Sequence, residues 1–203
     1  MPSFYVYSMD IIFATHNEHK THEARAILGA DWHLMNLHDV GCNEEVPETA
    51  DTLKGNALQK AQYVLDHYHT NCFADDTGLE VEALDGRPGV YSARYAGEHC
   101  TYQDNVNKLL AEMKGISNRK ACFKTVVALI LDGETHFFEG RVDGTILGEP
   151  RGTAGFGYDP VFQPDGYDQT FAEMGDDVKN SISHRGRAMR KLMEFLKDKV
   201  AEK

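Results

Sequence analysis

Cysteine is scarce in this sequence, and its spacing matches no common metal motif. Only four cysteines occur among 203 residues, and no two of them form a C-x-x-C pair. The spacing therefore argues against a zinc site. Cys72 and Cys122 lie in apolar runs and are predicted to be buried thiols. Free thiols of this kind favour a reducing compartment, the cytoplasm.

Long apolar runs are also missing. No stretch approaches the roughly 18 apolar residues typical of a membrane-spanning helix, so we expect no membrane association. The first eight residues, MPSFYVYS, have neither the basic start nor the apolar stretch of a signal peptide. Met9 stands directly before the first strand-like run, and residues 1–8 are therefore expected to be an extra or disordered N-terminal tail.

Positive charge is in deficit. The sequence has 21 Lys and Arg against 32 Asp and Glu, a formal net charge of −11. A protein that binds nucleic acid through the phosphate backbone needs a basic surface, so this class of partner is disfavoured. A small anionic ligand remains compatible with the charge, because a few cations can bind it locally and a divalent cation can accompany it.

The rest of the composition is that of a globular α/β protein. Apolar runs predict strands at 10–15, 32–37, 71–76, 79–84 and 121–131, and periodic or capped segments predict helices at 18–28, 52–68, 101–115 and about 184–201. Asp132-Gly133 predicts a hairpin turn after the last strand of that series. Because the hairpin is antiparallel while the first strands alternate with helices, we predict a single domain over residues 1–203 with a mixed sheet.

The first of four segments suited to chemistry is ATHNEHK at 14–20, where a strand end runs into a helix start. Backbone N–H groups and the positive end of the helix dipole attract anions at such a junction. Lys20 adds a charge in the first turn. The segment is not a P-loop, because the G-x-x-x-x-G-K-[ST] pattern is absent. The alternative interpretation is a simple polar cap.

The second segment, ADDTGLEVEALDGRPGVYSARYAG at 74–97, places Asp75 and Asp76 at the end of a buried strand. Adjacent carboxylates disfavour joint ionisation, and a divalent cation that prefers oxygen ligands, such as Mg²⁺, relieves that cost. Glu48, in the polar loop at 38–51, is a candidate further carboxylate. The alternative is that one aspartate caps a turn before Gly78.

The third segment, GFGYDPVF at 155–162, is too broken by glycine and proline for a helix and carries two rings that look exposed. It predicts a loop on which a flat ligand ring stacks, with Phe156 favoured over Tyr158. Asp159 would accept a hydrogen bond from that ligand or orient a neighbour. The alternatives are a surface loop that bears aromatic residues and a plug in the core.

The fourth segment, VKNSISHRGRA at 178–188, crowds Lys179, His184 and Arg185 at the start of the last helix. Cations at a helix N-terminus oppose the dipole, and a bound anion would resolve that conflict. The alternative is a solvated basic start to an amphipathic helix.

Together and in this order, the T-x-N-x-x-K pattern that ends at Lys20, the ADDTG segment, GFGYDPVF and KNSISHR resemble the inosine triphosphate pyrophosphatase family, or dITP/XTP pyrophosphatases. The resemblance spans nearly the whole chain. It implies an elongated, curved mixed sheet with flanking helices and two lobes around a central cleft. It also implies a homodimeric, Mg²⁺-dependent hydrolase that converts dITP, ITP and XTP to the monophosphate and pyrophosphate, cleansing the nucleotide pool of deaminated purines.

The resemblance further implies roles for individual residues. Glu48 and Asp76 match the metal-binding acids, and Asp76 also matches the catalytic base. The phosphate-binding residues would be Thr15, His16, Asn17, Glu18, His19, Lys20 and Lys60. The substrate-binding residues would be Thr77, Phe156, Gly157, Tyr158, Asp159, Lys179, His184 and Arg185. His16 departs from the family, since many relatives have glycine there, and Thr77 is serine in many relatives.

Two other functions are weighed against this one. A sensor that holds a magnesium–nucleotide complex without turnover would not need the carboxylates Glu48, Asp75 and Asp76. A Maf-like pyrophosphatase would act on modified pyrimidines or 7-methyl-GTP, but the GFGYDP and SHR segments favour the purine family instead.

Overall fold

The structure is a computed structural model that describes residues 9–28 and 32–201, apart from the side chains of Met9, Val200 and Ala201. The tail predicted at residues 1–8 lies outside the described residues, as does Gly29, which directly follows the helix predicted at 18–28. The strands are β1 (Met9–Phe13), β2 (Trp32–Asn36), β3 (Cys72–Val81), β4 (Pro88–Gly89), β5 (Lys120–Leu131), β6 (Glu134–Ile146) and β7 (Phe162–Pro164). The helices are α1 (Glu18–Leu28), α2 (Leu53–Tyr68), α3 (Tyr102–Glu112), α4 (Asp176–Ile182) and α5 (His184–Ala201).

Within the described residues the strands form one sheet in the order β2-β1-β3-β5-β6-β7, with β4 paired to β3. β1 is parallel to both β2 and β3, whereas β4 runs antiparallel to β3 and β7 antiparallel to β6. The two residues between β5 and β6, Asp132 and Gly133, both have positive φ, as a tight hairpin turn requires. The predicted α/β fold with a mixed sheet is therefore confirmed.

β3 corrects one sequence prediction. The sequence predicts two strands, at 71–76 and 79–84, but β3 runs unbroken from Cys72 to Val81 and a 3-10 turn follows at Glu82–Leu84. β3 lies between β1 and β5. β1 pairs with β3 at Cys72 and Phe73, and β4 pairs with it at Leu79 and Glu80, so strand pairing before and after Gly78 outweighs the weak intrinsic strand preference of glycine.

The last helix is also divided differently from the prediction. α4 is a separate helix of seven residues, and Ser183, with an extended backbone at φ −66° and ψ 159°, separates it from α5. Lys179 lies in the last turn of α4, where the helix dipole favours a cation. Only His184 and Arg185 of the three predicted cations stand at the start of α5.

The chain divides into two compact units. Unit 1 comprises the chain up to Asp75, Val126–Phe138 and the chain from Met189. In its core, small residues of α2 such as Ala57 and Ala61 are clustered with strand residues such as Ile12 and Cys72. Cys72 is buried, as predicted, and burial raises the pKa of its thiol to about 12.

Unit 2 comprises Asp76–Thr125 and Glu139–Ala188. Its core contains Phe123, Phe162 and Phe171, with ring centroids 4.7 Å apart for the first pair and 5.3 Å for the second. α3 begins with a full capping box, in which Thr101 and Asp104 bond each other's backbone N–H groups. The predicted cap of this helix is therefore confirmed, as is the burial of Cys122.

Candidate functional site

In unit 1, the loop after β1 satisfies its own backbone. The Thr15 hydroxyl accepts from the N–H of Asn17 at 3.1 Å. The Asn17 side-chain oxygen accepts from the N–H groups of His19 and Lys20 at 3.0 and 3.3 Å, and so caps α1. In this structure the N–H groups of these three residues therefore bond nearby side chains, and their binding of an anion stays a prediction.

Two further residues of this loop bond neighbouring segments. The Nε2 atom of His16 lies 2.9 Å from the carbonyl oxygen of Cys42, and its ring meets that of His38 at 5.0 Å. Glu18 accepts a hydrogen bond from the Asn36 amide at 3.1 Å. His16 thus contacts the segment after β2 and Glu18 contacts the end of β2, so both side chains have a structural contact where the resemblance implies a phosphate.

The cations of unit 1 are held by carboxylates. The Nζ atom of Lys20 lies 2.8 Å from Oδ1 of Asp75, whose side chain is 1% exposed. Lys60, on the buried face of α2, forms an ion pair with Glu48. The structure thus gives both predicted phosphate-binding lysines a carboxylate partner, and one of those partners is a predicted metal ligand.

The two ion pairs form one electrostatic cluster, which we call the lysine–carboxylate cluster. Burial by itself would raise the pKa of Glu48, but the ammonium groups of Lys60 and Lys20 outweigh it, and the pKa of Glu48 lies below its ordinary value. The nearby Asp75 carboxylate opposes this lowering. Glu48 therefore carries its negative charge at neutral pH, in its ion pair with Lys60.

In unit 2, Asp76 begins a second polar group. Asp76 is 8% exposed, and its Oδ1 accepts from the N–H of Thr77 at 3.0 Å. The Thr77 hydroxyl lies 2.7 Å from that of Thr125 and accepts from Nη2 of Arg185 at 3.3 Å. These hydrogen bonds bring together Thr77 of β3, Thr125 of β5 and Arg185 at the start of α5.

The aromatic loop of unit 2, residues 155–159, is built around Asp159. Its Oδ2 accepts from the N–H of Phe156 at 2.9 Å and pairs with Nζ of Lys179 at 2.7 Å. Both charged side chains are almost fully buried. Gly155 has φ +73°, and a Cβ there would collide with the Asp159 carboxylate, so the loop requires glycine at this position.

Phe156 is the half-buried ring of this loop, and cations surround it. Nζ of Lys179 lies 5.0 Å from the ring centroid, and Cζ of Arg185 lies 5.3 Å from it. These separations are within the range of cation–π attraction. The structure therefore brings together one predicted stacking ring and two predicted substrate-binding cations.

Tyr158 and His184 belong to the core instead. Tyr158 is 4% exposed and its hydroxyl donates to the carbonyl of Ser92 at 2.8 Å, while burial raises its pKa. The expectation that both rings of the loop are exposed is thus wrong for Tyr158. His184 is buried and stacks on Phe123, with centroids 4.5 Å apart.

Sequence reasoning gave no role to Thr125, whose hydroxyl lies 2.7 Å from that of Thr77. Asp75 was predicted as one of two adjacent carboxylates that favour a divalent cation, and the structure adds Lys20 as its partner. The available signal for Thr125 was a threonine inside the otherwise apolar run TVVALIL. Among the described residues, no group of three or more His, Cys, Asp and Glu could hold a metal ion. None of the described helices is long and apolar enough to cross a membrane.

Solved structures and a family comparison identify the class of protein to which this chain belongs. The chain is similar to the Ham1 protein of Staphylococcus aureus, with a TM-score of 0.84 and 37% identity over 94% of this chain and 99% of that one. The predicted fold class is thereby confirmed. The Ham1 family matches residues 11–195, and the chain belongs to this family.

Curated relatives agree with this assignment. The chain is 57% identical to the dITP/XTP pyrophosphatase of Porphyromonas gingivalis, over 92% of this chain and 96% of that protein. It is 49% identical to the protein of the same name from Flavobacterium johnsoniae, over 93% and 98%. The predictions of the family and of an enzyme, a hydrolase of acid anhydrides, are confirmed.

Proposed function

We propose that this protein is a Mg²⁺-dependent nucleoside triphosphate pyrophosphohydrolase, which converts dITP, ITP and XTP to the monophosphate and pyrophosphate. The observation that carries the proposal is the lysine–carboxylate cluster, in which Lys20 pairs with Asp75 and Lys60 with Glu48. It occurs in a chain whose relatives are named dITP/XTP pyrophosphatases.

The cluster suits exchange with a magnesium–triphosphate complex. The buried ammonium group of Lys60 and the partly buried one of Lys20 each have a carboxylate partner, which avoids the cost of an isolated charge away from water. A triphosphate can replace the carboxylates as partner of Lys20 and Lys60. A divalent cation that arrives with the triphosphate can then bind the released Glu48 carboxylate and offset its charge.

The donor set also fits magnesium. Mg²⁺ prefers oxygen ligands and is usually held by one or two carboxylates together with substrate phosphates and water. Glu48, whose pKa the lysines hold below its ordinary value, and Asp76 would hold the ion. When bound, the ion would polarise the phosphate oxygens and acidify water.

The chain's own groups would perform the remaining steps. Asp76 would accept a proton from the attacking water, whose oxygen forms a bond to the α-phosphorus. The bond from the α-phosphorus to the bridging oxygen breaks, and pyrophosphate leaves with the electron pair. Lys20 and Lys60 would stabilise the charge that develops on the leaving group.

Unit 2 would select the base. Phe156 offers a ring on which a purine stacks, and Arg185 and Lys179 lie over that ring within 5.3 Å of its centroid. Hypoxanthine and xanthine carry a 6-oxo acceptor, whereas adenine carries a 6-amino donor. A cationic donor therefore bonds the first two bases and faces donor against donor with adenine.

The biological setting is part of the same proposal. The enzyme would remove deaminated purine nucleotides from the cytoplasmic pool, and it would act as a homodimer. The names of the relatives support the substrate class. The dimer, the compartment and the magnesium requirement follow from the family resemblance.

The products of ITP hydrolysis test the proposal. With Mg²⁺, chromatography should show IMP and pyrophosphate in equal amounts, and EDTA should abolish both, because the ion completes the charge balance. IDP with orthophosphate would contradict the proposal, and binding without products would indicate a sensor. Faster cleavage of 7-methyl-GTP than of ITP would indicate the Maf-like alternative.

A further inference from the structure

We propose that Tyr102 forms a second wall of the base site, so that the purine stacks between the rings of Tyr102 and Phe156. This inference rests on the proposed function, because it adds a contact to the same substrate. It assigns a binding role to a residue that none of the sequence patterns indicated.

Tyr102 is placed beside the aromatic loop by the start of α3. It is the first residue of that helix, directly after the capping residue Thr101, and it is 46% exposed. Its ring centroid lies 6.0 Å from that of Phe156, with the planes inclined at 47°. An exposed ring is thus held next to the ring on which we expect the base to stack.

The separation is close to that of a base sandwich. Two parallel rings with a purine between them lie about 7 Å apart, since stacked carbon atoms approach to about 3.5 Å on each side. The observed 6.0 Å and 47° describe a wedge that is slightly too narrow. Rotation of the exposed Tyr102 side chain would open it, whereas the backbone of Phe156 is tied to Asp159.

The two walls would have different tasks. Lys179 and Arg185 lie over the ring of Phe156, 5.0 and 5.3 Å from its centroid, so the donors that discriminate between bases belong to the Phe156 wall. Tyr102 adds stacking area, and every purine has an aromatic face to receive it. Tyr102 therefore increases affinity for ITP, XTP and ATP alike and leaves discrimination to the cations.

Tyr91 is a matched control. It is a tyrosine of the same unit, it is 55% exposed, and its ring is paired with Arg94 at 5.2 Å. Replacing either tyrosine removes a similar exposed ring. The ring of Tyr102 lies 6.0 Å from that of Phe156, whereas the ring of Tyr91 is paired with Arg94, so loss of Tyr102 should affect the base and loss of Tyr91 should not.

The test compares Tyr102→Ala, Tyr102→Phe and Tyr91→Ala. Tyr102→Ala should raise KM for ITP by about 5- to 100-fold, the usual loss when a stacked ring is removed. Its kcat should stay within about twofold, because the contact is the same in ground and transition states. Tyr102→Phe and Tyr91→Ala should resemble the wild type. Inhibition by inorganic tripolyphosphate, which has no base, should be unchanged in all three.

Equilibrium dialysis with a non-hydrolysable ITP analogue should rank the variants in the same way. This measurement needs no turnover. If the wild type failed to release pyrophosphate, the proposed function would be overturned, but the dialysis would still show whether Tyr102 binds the base. Binding by Tyr102→Ala equal to that by Tyr91→Ala would overturn the second wall. The second wall would also be overturned if Tyr102→Ala weakened inhibition by tripolyphosphate as much as it weakened binding of the ITP analogue. Tyr102 would then affect the site through the fold and not through the base.

Discussion

Arg185 is an arginine in an unusual environment, because it is 2% exposed and arginines are seldom fully buried. Its guanidinium donates to the Thr77 hydroxyl at 3.3 Å and lies 5.3 Å from the Phe156 ring centroid. A planar donor fixed beside an aromatic ring is suited to bonding the edge of a stacked base.

Arg185→Ala should therefore reduce the preference for ITP over ATP more than it reduces the turnover of both nucleotides. The ratio of kcat/KM for ITP to that for ATP should fall by about tenfold to a hundredfold, the effect of losing one buried donor. Steady-state kinetics with both nucleotides measure it. Arg187→Ala is the control, because Arg187 is exposed on the same helix and bonds the Arg141 carbonyl. Equal slowing of both substrates by Arg185→Ala would assign Arg185 to the phosphates or to the fold.

The sequence predicts residue types in the site better than it predicts their surroundings. Lys20 and Lys60 are predicted as cations for phosphate, and the structure adds that Asp75 and Glu48 hold them. Burial of Tyr158 could not be predicted, because its partner is the carbonyl of Ser92, far away along the chain. Pairings of this kind depend on tertiary packing, which local patterns do not encode.

α4 shows how a short element can position a site residue. It is a seven-residue helix whose Lys179 pairs with Asp159, with side chains only 5% and 6% exposed. Asp159 also holds the backbone of Phe156, so the ion pair connects α4 to the aromatic loop. Removal of one partner would leave the other charge buried without its counter-ion.

Lys179→Met should lower the free energy of unfolding by about 3–5 kcal/mol, the usual cost of breaking a buried ion pair. Chemical denaturation followed by circular dichroism measures this change. Lys124→Met is the matched control: Lys124 pairs with Glu80 in the same unit, but their side chains are 37% and 33% exposed. The control should cost about 0–1 kcal/mol. Similar losses in both variants would show that burial does not make the Lys179 pair special.

The elements themselves were largely predictable. The bounds of α1, the hairpin turn and the cap of α3 follow from local rules on periodicity, positive φ and capping, and the structure agrees with them. The continuity of β3 and the break at Ser183 were missed. Sheet neighbours on both sides keep β3 extended, and a single extended residue between two helices leaves no strong sequence signal.

In the molecule as a whole, the predicted machinery is divided between the two units. Unit 1 carries the lysine–carboxylate cluster, and unit 2 carries Asp76, the aromatic loop and its cations. Asp75 and Asp76 are consecutive residues of β3, so the backbone itself joins the two sets. The proposed reaction assigns phosphate binding to the first set, proton transfer and base selection to the second, and magnesium to Glu48 and Asp76.

The position of water attack tests this account most directly. ITP should be hydrolysed with Mg²⁺ in water enriched in heavy oxygen, and the products separated and weighed by mass spectrometry. The account predicts one heavy oxygen in IMP and none in pyrophosphate, because Asp76 would direct water to the α-phosphorus while the lysines hold the leaving group. Heavy oxygen in pyrophosphate, or release of orthophosphate from intact ITP, would contradict it.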